Sequence, residues 1–258
     1  MTSTYKNTMF QFGWALFASC ALMAAAHADE VTTVSNAVDA RVVRVKIDGA
    51  IDLKLRQGSV ASLKITGEQR YLEKVEVRVS GDTVHIDTDG HNMHNKKSAL
   101  RAEMVLPNLS ELVSDGVCTC EATGFSGERL ALELGGAGSL KVNADYRRVS
   151  ATLGGVGSMN LVINKADGVT LDLGGAGYIT LAGSSKYLKA SMDGLGSLNA
   201  QQFQADKVDI DLSGLGNATV FAAQDLNLDL SGLGSVTVYG KPLHRNVSVD
   251  GLGRVSWK

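Results

Sequence analysis

The sequence predicts an all-β solenoid, a chain wound into stacked coils of about 19 residues, and three features point to it. A Gly-x-Gly motif recurs down the second half of the chain. Apolar and polar residues alternate with period two on both sides of each motif. The composition, 29 glycines and only two prolines among 258 residues, supplies turns while leaving the backbone free to pair.

The motif occurs at Gly136-Ala137-Gly138, Gly155-Val156-Gly157, Gly175-Ala176-Gly177, Gly194-Leu195-Gly196, Gly214-Leu215-Gly216, Gly232-Leu233-Gly234 and Gly251-Leu252-Gly253. Successive first glycines are 19, 20, 19, 20, 18 and 19 residues apart. Asp115-Gly116-Val117-Cys118 fits as a degenerate earlier member. Before each motif runs an alternation such as Leu130/Leu132/Leu134 or Val208/Ile210/Leu212, and after it a shorter one such as Met159/Leu161 or Val236/Val238. Period two is the mark of a strand, so each unit reads strand, glycine corner, strand, then a polar return such as Asn143-Ala144-Asp145 or Gly183-Ser184-Ser185. Two strands joined by Gly-x-Gly would also suit a hairpin, but a hairpin demands no constant period. Coils stacked about 4.8 Å apart do demand one, because Leu must then meet Leu and Gly meet Gly down the array. The glycines are expected to take φ > 0 at a corner too tight for a Cβ.

Residues 41–106 differ. They predict strands at Val42–Ile47, Ile51–Leu55, Ser62–Thr66, Val75–Val79, Val84–Asp87 and Leu100–Leu106, a helical turn near Glu68–Lys74, and a hairpin turn at Gly81-Asp82. Residues 29–258 are expected to form one domain, with 29–110 as N-terminal cap and first coils and 111–258 as the repeat coils. The last coil closes on Val255-Ser256-Trp257, and its open edge predicts a homo-oligomer through that end.

The first 28 residues read as a signal peptide. Lys6 precedes an apolar run from Met9 to Ala26, and Ala26-His27-Ala28 has the small-x-small form of a cleavage site before Asp29. Phe17-Ala18-Ser19-Cys20 loosely resembles a lipobox, which makes a lipoprotein anchored at Cys20 the competing outcome. Beyond this segment no apolar stretch approaches the ~20 residues of a membrane-spanning helix. The expected location is therefore outside the cytoplasm, in the periplasm, on the outer membrane or at the cell surface. A net charge of −2 with no basic run gives nucleic acid nothing to bind.

The chain resembles the head GIN domain family of auto-transporter adhesins, exported bacterial proteins, over about residues 40–258. The residues that carry the likeness are the Val-x-Ile-Asp-Gly-x-Ile-Asp-Leu-x-Leu-x-Gln-Gly pattern at Val45–Gly58, Leu-Pro-Asn-Leu at Leu106–Leu109, the serial Gly-x-Gly-Ser/Asn units, and Val238-Tyr239-Gly240-Lys241-Pro242. Many members read Gly-Ser-Gly where this chain has Gly-Leu-Gly or Gly-Ala-Gly, so the apolar corner is either buried or offered to a partner. The resemblance implies a right-handed, single-stranded parallel β-helix and an adhesin-like role, with no ligand attached.

Candidate chemistry lies on the outward positions. None of the motifs continues as Gly-x-Gly-x-x-Gly into a helix, which excludes a dinucleotide site. On the first strand Glu133, Asp172, Asp211 and Asp229, with Asp193 and Asp250 beside the corners, form a ladder suited to a cation or a hydrogen-bonding sugar, against the plainer reading of a solvated polar face. On the second strand Lys141, Asn160, Thr180, Asn199, Thr219, Thr237 and Ser256 suit glycan hydroxyls. The aromatic platforms that sugars favour are scattered: Tyr146, Tyr178, Tyr187, Phe203, Phe221 and Tyr239. His91, Met93 and His94 with Cys118 and Cys120 are soft-metal ligand types, but their spacing matches no zinc signature. Cys118 and Cys120 stand at i and i+2, about 6.5–7 Å apart in a strand, which predicts two free thiols. No acid/base pair stands out. Arg147, Arg148, Lys165, Lys186 and Lys207 fall in the returns, away from the acidic strand. The combined expectation is a non-catalytic, adhesin-like module without cofactor, binding an unknown protein or glycan on a cell or envelope surface. A structural envelope scaffold, and less so a polysaccharide-active enzyme, are the alternatives.

Overall fold

Alternation with period two produces longer strands than the motif spacing suggests. The computed structural model describes residues 31–88 and 100–258. Its first part contains β1 (Val31–Asn36), β2 (Arg44–Asp48), β3 (Asp52–Gln57), β4 (Ser62–Glu68), a one-turn helix α1 (Gln69–Leu72), β5 (Val75–Ser80), β6 (Thr83–Thr88), β7 (Arg101–Leu106) and β8 (Glu111–Ser114). The repeats follow as β9 (Val117–Leu134), β10 (Ala137–Leu153), β11 (Val156–Leu173), β12 (Ala176–Met192), β13 (Leu195–Leu212) and β14 (Asn217–Leu230). The chain closes with β15 (Ser235–Tyr239), β16 (His244–Val249) and β17 (Arg254–Trp257).

From β9 to β17 every pairing is parallel and nearly in register, in a β-solenoid of about 7 turns. Leu140 stacks on Met159 and Leu153 on Leu173, so the inward rows form continuous aliphatic ladders. The expected polar returns are extended rather than looped. Asn143-Ala144-Asp145 lies inside β10, because neighbouring coils pair Asn143 and Ala144 on both sides and Asp145 on one. The bends are filled by Phe125, Tyr146 and Phe203, all fully buried, which removes Tyr146 and Phe203 from the set of exposed aromatic platforms.

The corner glycines are required for a different reason from the one expected. Among the Gly-x-Gly glycines only Gly251 has a positive φ, 156°, at the border of extended backbone. A Cβ on Gly136, Gly155, Gly175, Gly194, Gly214 or Gly232 would instead overlap the carbonyl oxygen of the corner glycine one coil back. The crowding is between coils, not within the residue.

The N-terminal strands enter the stack out of sequence order. β2 pairs in parallel with both β6 and β8, and β3 with both β7 and β9, so residues 44–57 form a coil inserted between the coil of β6 and β7 and that of β8 and β9. Gly49-Ala50 supplies its corner: Val117 N donates to Gly49 O at 2.7 Å, and Ala50 bridges Val117. The motif pattern missed this corner because Gly49-Ala50-Ile51 lacks the second glycine. Outside β6 and β7 the pairing turns antiparallel, β5 on β6 and β4 on β7, with β1 on β4, and this covers the first coil as a cap. The hairpin turn at Gly81-Asp82 joins β5 to β6, with Gly81 at φ 62°.

The other end has no such cover among the described residues. β16 pairs only with β14 and β17 only with β15. Val247 and Val249, which continue the ladders of buried Leu228 and Leu230, are exposed.

Cys118 and Cys120 form a disulfide, contrary to the expectation of free thiols, with Cα atoms 5.8 Å apart. Both side chains point inward just past the Gly116 corner, where the strand is contracted below its extended length and the sulfurs come within bonding reach. Neither is then available as a metal ligand. His91, Met93 and His94 lie outside the described residues, as do Cys20 and the whole signal segment.

Candidate functional site

Outward rows on the stacked coils give the molecule separate surfaces of different chemistry. On the first-strand face Glu133, Thr152, Asp172, Ser191, Asp211 and Asp229 occupy consecutive rungs. Their carboxylates are exposed, and only Asp211 and Asp229 occupy neighbouring rungs. Asp193 accepts a hydrogen bond from Ser213 Oγ, and Asp250 one from Ser248 Oγ at 3.4 Å. These acids are spread along the axis, and no group of three His, Cys, Asp or Glu among the described residues is placed to hold a metal ion.

The second-strand face is nearly free of charge. One row runs Lys141, Asn160, Thr180, Asn199, Thr219, Thr237, Ser256, each opposite the next. Beside it lies a second row, Ser139, Ser158, Tyr178, Ser197, Asn217, Ser235. From Asn160 to Thr237 the paired rows carry only hydroxyls, amides and one aromatic ring. That ring, Tyr178, is 42% exposed. Hydrogen bonding from the neighbouring Thr180 and Asn199 side chains lowers its pKa below the usual phenol range. Tyr178 was visible in the sequence; its position in the middle of a neutral polar face was not.

The corner between the two faces is an apolar ridge. The central residues of the motifs point to solvent in register, with Val117, Val156, Leu195, Leu215, Leu233 and Leu252 all exposed. The apolar corner that the sequence left as either buried or displayed is displayed.

The return side carries a column of alternating charge. Arg147 lies 3.7 Å from Glu128 and 2.8 Å from Asp167, and Lys186 lies 2.7 Å from Asp167. Hydrogen bonds from Lys186 and Arg147 hold the Asp167 carboxyl at a pKa of about 2. Arg147, Asp167 and Lys186 line a shallow open groove with Lys165 and Asp206. Sequence spacing had set the basic residues apart from acids; stacking puts Asp167 between two of them.

Similarity to known proteins follows this architecture. Among solved structures, the chain is similar to a "putative adhesin" from Parabacteroides merdae, at 20% identity over 89% of this chain and 96% of that one, with a TM-score of 0.75. It is similar to a "putative lipid binding protein" from Parabacteroides distasonis, at 17% identity over 87% and 96% of the two chains, TM-score 0.75. A "putative adhesin" from Bacteroides fragilis aligns at 18% identity over 89% and 97%, TM-score 0.66. At these identities the likeness shows the fold alone. A search of curated proteins finds no match. Residues 43–242 match the family described as "Putative auto-transporter adhesin, head GIN domain", and the chain belongs to that adhesin-like family.

Proposed function

We propose that this chain is an exported, non-catalytic adhesin-like module that binds a neutral saccharide chain along its second-strand face. The observation that carries the reading is Tyr178, an exposed aromatic ring set among rows of uncharged hydroxyls and amides. Sugars present apolar C–H faces and a fringe of hydroxyls, and this surface offers a partner for each. Export is supported by the signal-like opening of the sequence and by the family. No helix among the described residues is long and apolar enough to cross a membrane.

Asp167 and Glu76 are both hydrogen-bonded to cationic side chains, which lowers their pKa values. A general acid for glycoside cleavage needs the reverse, so neither of these two carboxylates suits that role.

The test is retention on an array of neutral and charged glycans, with Tyr178→Ala beside the wild-type chain. Binding to a neutral glycan that weakens about tenfold in the variant is expected, since a stacked ring and its hydrogen bonds are worth about 1–2 kcal/mol. Wild-type retention of no neutral glycan, or retention that the variant keeps in full, overturns the proposal.

A further inference from the structure

Two cations without counter-ions among the described residues stand side by side where the return meets the first strand. Arg129 lies opposite Arg148 in the register of β9 and β10, so their side chains leave adjacent rungs about 4.8 Å apart. Neither makes a hydrogen bond or an ion pair with any described residue. Like charges opposite one another in a sheet cost stability. The adjacent column shows that the fold can avoid that cost, because Glu128, Arg147, Asp167 and Lys186 alternate in sign there.

The next rung of the arginine column is Gly168, and the one after it is Tyr187. A Cβ at Gly168 would meet nothing closer than Tyr187 O at 3.9 Å, so the missing side chain leaves open space. The result is a notch of about 550 Å³ with Arg129 and Arg148 on one side, Tyr187 on the other, and Ser150 and Thr170 beside them. Tyr187 is half-buried, and its hydroxyl donates to Asp209 at 3.1 Å, which fixes the ring at the border of the notch. Asp167 also borders it, but that carboxylate is already engaged by Arg147 and Lys186. The unsatisfied charge facing the notch is positive.

We propose that the Gly168 notch binds an acidic saccharide, with Arg129 and Arg148 holding its carboxylate or phosphate ester. Guanidinium forks match both groups in a bidentate fashion. Ser150 and Thr170 supply hydroxyl partners for the sugar, Tyr187 supplies a ring wall, and the volume lies within the range of small-molecule sites. This site is separate from the neutral face around Tyr178, so either can fail alone.

The experiment is calorimetric titration of the chain with trigalacturonate, with glucose 6-phosphate, with neutral maltotriose and with inorganic phosphate, each repeated on R129Q/R148Q and on Y178A. Binding of an acidic saccharide that is at least tenfold weaker in R129Q/R148Q and unchanged in Y178A is the expected result. Trigalacturonate or glucose 6-phosphate as the better ligand assigns the carboxylate or the phosphate ester. The double variant should melt no lower than wild type, because it removes a repulsion, so lost binding is not lost fold. Binding of neither acidic saccharide, equal binding by the double variant, or inorganic phosphate binding as tightly as either saccharide would overturn the proposal.

Discussion

A Cβ on Gly214 would overlap the carbonyl oxygen of Gly194, whereas Ser213 one position earlier is exposed. Gly214→Val must therefore push two coils apart at a point where both are fixed by in-register pairing, and a loss of about 3 kcal/mol or more is expected. Ser213→Val should cost well under about 1 kcal/mol. Equal melting temperatures for the two variants would show that the coils do not touch there. The positions of these glycines were readable from their period, but their reason was not, since a one-dimensional pattern does not separate crowding within a residue from crowding between coils. Tyr146 gives the second residue-scale prediction. Burial raises its pKa from 10.0 to about 12, and its hydroxyl donates to Leu109 O at 2.5 Å, a bond that only the neutral phenol can make. Since the folded value lies above the unfolded one, its contribution is intact below pH 10 and is lost as the pH rises towards 12. About 2 kcal/mol should disappear across that window. Tyr146→Phe should cost about 1 kcal/mol at neutral pH by orphaning Leu109 O, and should flatten the alkaline decline measured by urea unfolding.

Strand lengths and strand order were the parts least accessible to pattern. The alternation located the centres of nearly all the strands, including β4 and β5, but it ended each repeat strand at the polar returns that the structure carries through as extended backbone. Polar residues there do not mark a loop, because neighbouring coils satisfy the backbone on both sides. The inserted coil of β2 and β3 was hidden for another reason: its partners β6 to β9 follow it in sequence, so no local signal reports the pairing. The Arg129 and Arg148 pair was within reach of simple subtraction, yet the register shift between Asn143 and Ala144 obscures where the two coils realign. At this scale the disulfide yields a prediction. Cys118 and Cys120 are separated by 2 in sequence, so their bond closes a minimal loop and removes little entropy from the unfolded chain. Reduction should lower stability by about 1–2 kcal/mol and leave the solenoid folded, with two small buried thiols in the core. Loss of the far-ultraviolet β signal on reduction would contradict this.

Two ends of different construction make stability graded along the axis of the whole molecule. The N-terminal coil is sealed by antiparallel strands, whereas β16 and β17 each have a neighbour on one side alone among the described residues. In a stack where each coil contacts only its neighbours, a residue's importance follows the number of coils that cover it. Leu228 and Val247 test this directly, because they are consecutive members of one inward column, 3% and 38% exposed respectively. Lysine at 228 would leave a charge between two coils, stacked on the buried Ile210, which should cost about 3–5 kcal/mol. Lysine at 247 can carry its ammonium past the open rung into water and should cost less than about 1 kcal/mol. Hydrogen exchange should show the same gradient, with β16 and β17 amides exchanging well before those of β11 and β12. If Val247→Lys proved as damaging as Leu228→Lys, the last rung would have to be covered in solution, and the open end would be an interface rather than an edge.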